Sequence, residues 1–441
     1  MNRRRFTTHL AAGIAGFSIG GRFRETALSA APSLRVEGDR INRHLTELSA
    51  FGRNSYGGVS RVAYSEFDRQ GRAWAMDVMR EAGLTVQVDA AGNIFGRRAG
   101  RNPALKPIVF GSHIDSVPDG GNYDGDVGSL SAIEVARTLN RNQLVTKHPL
   151  EIVIFQNEEG GTVGSRALIG EVSPADLAIR SSSGKTLGEG ITFLGGDLEK
   201  LSTVKRAPGD IAAYVELHIE QGGNLDREKL DVGVVEGIVG IGQWEVTAEG
   251  FANHAGTTAM SDRRDSLLAT ARYIDMVNRV VTSTPGRQVG TVGRVQAFPG
   301  APNVIPGKVV FTLEIRDLDE AKVDTLSAKV RAEGEAIGKA SGVTFTYASL
   351  HHSRPAVCDP RVMQTIEGAA RSLTLTTRHL PSGAGHDAQH MARLGPAGMI
   401  FVPSVGGISH APKEYTKPED VVNGANVLLQ AILALDEAAW T

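Results

Sequence analysis

Ile108-Val109-Phe110-Gly111-Ser112-His113-Ile114-Asp115 sets an apolar run directly before two metal-capable side chains, and the same grammar recurs three times. Ile152-Val153-Ile154-Phe155 runs into Gln156-Asn157-Glu158-Glu159, Tyr214-Val215-Glu216-Leu217 into His218, and Met399-Ile400-Phe401-Val402 into a loop that reaches His410. Short apolar runs bounded by polar residues read as strands buried on both faces. In open α/β sheets, ligands sit beyond the carboxyl ends of such strands. Four strand ends are therefore expected to converge on one site, in an α/β domain whose central sheet is flanked by helices.

Between the third and fourth runs the pattern changes. The chain reads strand (Gln243–Glu249), helix (Asp262–Val281), strand (Val289–Ala297), strand (Lys308–Arg316), helix (Asp319–Ala340), strand (Val343–Leu350). This is the β-α-β-β-α-β order of a ferredoxin-like α+β unit. Val309, Phe311, Leu313 and Ile315 alternate with Val310, Thr312, Glu314 and Arg316, as a sheet covered on one face requires. Residues 241–350 are expected to form an inserted domain, leaving a discontinuous larger domain of residues 34–240 and 351–441.

The length of 441 residues agrees with two domains. A formal charge of −2 argues against a nucleic-acid partner, which needs a basic face. A small-molecule substrate fits better. At the N-terminus, Asn2-Arg3-Arg4-Arg5-Phe6 precedes a mildly apolar stretch, Leu10 to Gly21, and small residues at Ala27-Leu28-Ser29-Ala30-Ala31. That order predicts an export signal over residues 1–33, of the twin-arginine type, and a periplasmic or secreted destination; a cytoplasmic location is the alternative. The apolar stretch is too short for a permanent membrane span, so no stable membrane association is expected. The single cysteine, Cys358, excludes an intramolecular disulfide and has no basic neighbour to make it a nucleophile.

The chemistry resides in His113, Asp124, Glu159, His218 and His410. Five such ligands exceed what one tetrahedral zinc takes from protein, and they suit two ions. If Asp124 bridges, one ion has His113 and His218 and the other Glu159 and His410. Two ions acidify a water between them and stabilise the oxyanion it generates. Asp115, two residues past His113, is placed to orient that imidazole. Adjacent Glu158 and Glu159 leave their strand in different directions, so Glu159 can bind metal while Glu158 acts as general base. Mixed imidazole and carboxylate ligands accept zinc, manganese, cobalt or nickel.

Gly111-Ser112-His113-Ile114-Asp115-Ser116, Asp124-Gly125, Asn157-Glu158-Glu159-Gly160, His218-Ile219-Glu220-Gln221-Gly222, Asn253-His254-Ala255-Gly256-Thr257-Thr258 and Ser409-His410-Ala411-Pro412 resemble the motifs of the N-carbamoyl-L-amino-acid hydrolase and allantoate amidohydrolase family. The resemblance implies a dinuclear-metal exopeptidase-like catalytic domain and an inserted lid that also makes a homodimer. It implies cleavage of a carbamoyl or ureido C–N bond in a small carboxylate substrate, with His254 polarising the carbonyl and Gln243, His254, Asn303 and Arg316 holding the substrate. Arg316 would grip a carboxylate through two parallel hydrogen bonds. Two departures stand out: the longer Gly160-Gly161-Thr162-Val163-Gly164-Ser165-Arg166 loop, and Ala259 where a proline is usual. Gly383-Ala384-Gly385-His386-Asp387-Ala388 resembles the family's glycine-rich loop, with His386 shaping it. The rival enzyme reading is a dinuclear aminoacylase or dipeptidase; a non-catalytic exported binding protein would require the loss of a ligand or of Glu158, and all are present.

Overall fold

The computed structural model describes residues 34–438. The export signal expected over residues 1–33 lies outside the described residues. No described helix is long and apolar enough to cross a membrane.

The first part of the chain forms α1 (Gly38–Leu48), α2 (Glu66–Glu81), β1 (Thr85–Val88), β2 (Ile94–Arg98), β3 (Ile108–His113), α3 (Asp126–Arg141), β4 (Leu150–Phe155), α4 (Val163–Leu168), β5 (Ala213–Ile219) and β6 (Val232–Ile238). There follow β7 (Gly240–Glu249), β8 (Asn253–His254), α5 (Ser266–Ser283), β9 (Val289–Thr291), β10 (Val295–Phe298), β11 (Val304–Ile305), β12 (Lys308–Asp317), α6 (Glu320–Ser341) and β13 (Thr344–Ser353). The chain ends with β14 (Ala356–Val357), α7 (Pro360–Ser372), β15 (Thr377–Ser382), β16 (Ala397–Val402) and α8 (Pro418–Glu437).

The larger sheet is mixed, with order β1-β2-β4-β3-β5-β16-β6-β14 and β15 also pairing with β6. Its centre, β4-β3-β5-β16, is parallel. Every residue of β3, β4, β5 and β16 is buried, which is why those four runs carry no polar alternation. Helices α3, α7 and α8 pack against these strands, and α1 packs on α3 and α8. Helix α3 lies close to β5: a Cβ on Gly128 would sit 2.0 Å from the Leu217 carbonyl oxygen. That approach brings the start of α3 to the strand ends.

The second sheet has order β10-β12-β7-β13, with β9 also on β12, and every pairing is antiparallel. Val309, Phe311, Leu313 and Ile315 are fully buried with Tyr273, Met276 and Val330 from α5 and α6. Two local details differ from the sequence reading. Helix α5 starts at Ser266 and not at Asp262, because the Asp265 carboxylate accepts the amides of Leu267 and Leu268 and so caps it. The strand expected over Val289–Ala297 is split in two. Thr291 faces Glu314 and Val295 faces Phe311, so four steps along one strand match three along the other, a bulge containing Gly293.

Candidate functional site

His113 closes β3, His218 lies near the end of β5, Glu158 and Glu159 follow β4, and His410 follows β16. The two strand histidines are locked by backbone carbonyls. His113 Nδ1 is 3.0 Å from the Asp115 carbonyl and His218 Nδ1 2.9 Å from that of Ile219. A carbonyl can only accept, so each Nδ1 carries a proton and each Nε2 points inward, where losing its own proton leaves the tautomer a metal requires.

Asp124 lies between the imidazoles. Its Oδ1 is 3.4 Å from His113 Nε2 and 3.2 Å from His218 Nε2. Its Oδ2 is 3.3 Å from His410 Nε2, which lies 3.5 Å from Glu159 Oε2. One carboxylate thus offers one oxygen to each of two triads, His113-Asp124-His218 and Asp124-Glu159-His410. The turn that places it is a γ-turn: Asp126 N donates to the Asp124 carbonyl at 2.7 Å, with Gly125 at φ 67°, ψ −42°.

These donors fit divalent ions. His113 Nε2 and Glu159 Oε1 are buried without a hydrogen-bond partner, a state that costs free energy unless a further ligand completes it. The remaining shifts report crowded negative charge. Burial works against a charged His113, yet Glu158, Asp124 and Asp115 carry its pKa well above the ordinary value. The Asp124 hydrogen bond lifts His410 to about 9, and burial with Asp124 nearby lifts Glu159 to about 7. Burial also drives Glu158 well above the usual carboxylate range, with Asp387 and Glu159 adding to it against the pull of His113. Glu158 Oε2 is 3.8 Å from His113 Nε2, so a proton-accepting carboxylate borders the cluster.

Asp115 acts differently from the sequence reading. Its carbonyl, not its carboxylate, holds His113; carboxylate Oδ1 is 3.8 Å away. The two carboxylate oxygens instead accept the backbone amides of Glu158 (3.1 Å) and Glu159 (3.2 Å). Asn157, at φ 48°, makes the left-handed step that turns both amides toward Asp115.

The residues expected to hold substrate fall into two groups, Gln243 and Arg316 on the second sheet, and His254 and Asn303 at the separate two-stranded β8–β11 ribbon. Gln243 Nε2 and Arg316 Nε both donate to Glu314, at 3.1 and 2.7 Å, and Arg316 Nη1 reaches the Gly383 carbonyl at 2.5 Å. That last bond ties β12 to the glycine-rich loop, where buried His386 accepts or donates at Ser382 Oγ (2.8 Å) and lies edge-on to His218 with centroids 4.5 Å apart. Burial, with His218 adding to it, drives His386 well below the ordinary histidine range. His254 is exposed on the β8–β11 ribbon, and Ala255 N donates to the Asn303 carbonyl. The His254 Nδ1 accepts the amides of Gly256 and Thr257 at 3.0 and 3.3 Å, leaving Nε2 as a donor. No hydrogen bond or ion pair among the described residues joins His254 or Asn303 to the five-residue cluster. The segment expected as a longer loop turns into α4 at Val163, and from that helix Ser165 Oγ donates to Asp387 and Arg166 pairs with Asp176. Cys358 is buried, and burial pushes its thiol to about 12.

Sequence reasoning missed several supports. Gln221 Nε2 donates to Asp124 Oδ2 at 2.6 Å; its place in the His218–Gly222 string was the available signal. Arg61, 1% exposed, donates to the Ile114 carbonyl and to Asp126 beneath the site, and nothing in its surrounding sequence marks it. Glu414 joins the loops of Asp124 and His410.

A parallel-centred sheet whose strand ends gather a shared carboxylate, paired histidines and a raised-pKa glutamate is a hydrolase architecture. Residues 109–434 match Peptidase family M20/M25/M40, and the chain belongs to that family. More narrowly, it is 41% identical over 405 residues to an N-carbamoyl-L-amino acid amidohydrolase of Geobacillus stearothermophilus, covering 91% of this chain and 99% of that one. A ureidoglycolate hydrolase of Arabidopsis thaliana is 38% identical over 418 residues, covering 91% and 87%. The crystal structure of an amidase of the hydantoinase/carbamoylase family from Burkholderia multivorans superposes with a TM-score of 0.85 at 38% identity, covering 92% of this chain and 99% of that one.

Proposed function

We propose that this protein is a dinuclear metal-dependent amidohydrolase that cleaves the carbamoyl or ureido C–N bond of a small carboxylate substrate, such as an N-carbamoyl-L-amino acid or allantoate. The observation that carries this reading is the division of Asp124 between two triads of metal-capable groups. Similarity to carbamoylases and a ureidoglycolate hydrolase supports the bond class. One ion would be held by His113, His218 and Asp124, the other by Asp124, Glu159 and His410, with zinc or manganese favoured and cobalt or nickel compatible. Such a pair supplies positive charge that acidifies water and polarises a carbonyl.

The chain's own residues do the rest. Glu158, whose pKa burial raises, takes the proton of the attacking water and returns it to the departing nitrogen. Asp115 holds the Glu158-Glu159 backbone in place for that transfer. Arg316 receives the substrate carboxylate in exchange for part of its bond to Glu314, and Gln243 and Asn303 meet its remaining polar groups. His254 Nε2–H donates to the ureido oxygen as negative charge develops there, in its own subunit or in that of a homodimeric partner made through the second sheet and its helices. The amine leaves, and the carbamate that remains falls apart to ammonia and carbon dioxide. Export by a twin-arginine signal belongs to the same reading.

The test is ammonia release from N-carbamoyl-L-amino acids, allantoate, ureidoglycolate and β-ureidopropionate after reconstitution with zinc, manganese, cobalt or nickel, beside deacylation of N-acetyl amino acids. Turnover of one ureide above the N-acetyl substrates supports the proposal. Turnover of N-acetyl substrates alone would make the protein an aminoacylase.

A further inference from the structure

Glu414 is 4% exposed and spends both carboxylate oxygens on two loops that lie far apart in sequence. Oε1 accepts the amides of Tyr123 and Asp124, each at 3.0 Å. Oε2 accepts Ser409 Oγ at 2.8 Å and the His410 amide at 3.2 Å. The fit around it is close: a Cβ on Gly121 would sit 2.2 Å from Glu414 Oε1.

We infer that Glu414 is a positioning residue that sets the bridging carboxylate Asp124 against His410, and so governs the affinity of the second metal position. This rests on the dinuclear reading above. The two halves of the site are anchored unequally. His113 and His218 are 1% exposed on central strands and held by carbonyls. His410 is 47% exposed, follows β16 in a loop with φ 52°, and its backbone amide is held by Glu414. Loosening the clasp therefore falls mainly on the Asp124-Glu159-His410 triad, which loses its hold on His410 as well as on Asp124, while the other keeps two strand-anchored histidines.

A carboxylate is needed because all four of its partners donate. In Glu414→Gln the amide oxygen can serve one loop, but the amide nitrogen then meets donors on the other. Ser409 can turn to accept; the His410 amide cannot. Ser409 has a second partner, Asp124 Oδ2 at 2.9 Å, and its single proton serves one carboxylate at a time.

The experiment is zinc binding to metal-free protein, followed by competition with a chromophoric chelator, with cobalt absorption reporting coordination and the melting temperature of the metal-free form measured alongside. In Glu414→Gln the weaker of two zinc ions should lose about 10–100-fold in affinity while the tighter changes less than about threefold. Metal-free melting should stay near that of the parent, and the cobalt spectrum should change for the second equivalent only. Unchanged binding of both ions overturns the inference, as does parallel loss of both with a fall in metal-free melting. Should Glu414→Gln not fold, Ser409→Ala decides: a smaller loss confined to the weaker ion supports the clasp, and no change overturns it. A parent protein that binds one zinc or none overturns the dinuclear reading itself, a result the variant comparison cannot produce.

Discussion

Gly125 makes a sharp test of how the site is built. It occupies a γ-turn at φ 67°, ψ −42°, and a Cβ there would lie 2.5 Å from His113 Cε1 and Nε2 and 2.6 Å from Cδ2, where ordinary contact begins near 3.4 Å. Gly125→Ala must therefore push the imidazole back by about 1 Å or unwind the turn that carries Asp124. The backbone part alone costs about 1–3 kcal/mol, the usual penalty for a side chain held in a sparsely populated φ/ψ region. The ring cannot retreat freely, because Nδ1 is held by the Asp115 carbonyl and the ring is 1% exposed. Displacing one ligand by that distance should lower zinc affinity about 10–100-fold and turnover on the preferred ureide about 10²-fold. Urea unfolding of the metal-free form, chelator competition and ammonia release measure the three quantities on one preparation. Zinc affinity and turnover both within threefold of the parent would refute the idea that this turn sets His113 against Asp124.

Three further outcomes follow from the same geometry. Glu158→Gln should bind both ions but lose about 10²–10⁴-fold in kcat, the usual contribution of a general base; near-normal kcat removes Glu158 from that role. Zinc affinity should rise with pH up to about 9, because the metal-free site holds protons: both groups have raised pKa values, Glu159 at about 7 and His410 at about 9, and each proton competes with the ion until it is titrated away. Calorimetry at pH 8 in two buffers of different ionisation enthalpy should therefore show net proton release on zinc binding, and zero release contradicts the assignment. Arg61→Met should lower stability by roughly 3–5 kcal/mol in urea unfolding, since it leaves Asp126 charged and buried without its partner; a loss under 1 kcal/mol would show that Asp126 is neutral in the folded protein.

The strand ends were legible because burial on both faces leaves no room for polar residues until the strand stops, so a His or Glu after Phe110 or Phe155 stands out. The alternation of Val309 to Arg316 was legible for the opposite reason: one face is covered by α5 and α6 and the other is not. Hydrogen bonds set by backbone direction were not. Nothing in Asn157 as a residue type announces a left-handed step, yet that step gives the Asp115 carboxylate two amides to hold in place of an imidazole. Glu414 and Arg61 are equally silent, because most of their partners are main-chain atoms and several lie tens or hundreds of residues away. The bulge at Gly293 escaped because a one-residue slip leaves composition unchanged and alters only which residue faces which.

The charge balance at the strand ends explains why this arrangement calls for cations. Asp115, Asp124, Glu158, Glu216, Asp387 and Glu414 are all buried, and the side chain of Glu159 is 11% exposed. The ion-pair partners recorded within this group are His113, His218 and His410. Buried carboxylates without cations are costly, and protons meet the deficit when nothing else does: burial raises Glu158, Glu159, Glu216, Asp387 and Glu414, and nearby carboxylates raise the three histidines. Divalent ions between the triads would displace the protons on His113, His218, His410 and Glu159, whose inward atoms they occupy. Glu158 is not one of those ligands. In the proposed mechanism its carboxylate borders the attacking water and the departing nitrogen, and the same crowding of negative charge that favours metal raises its affinity for the proton it must take and return.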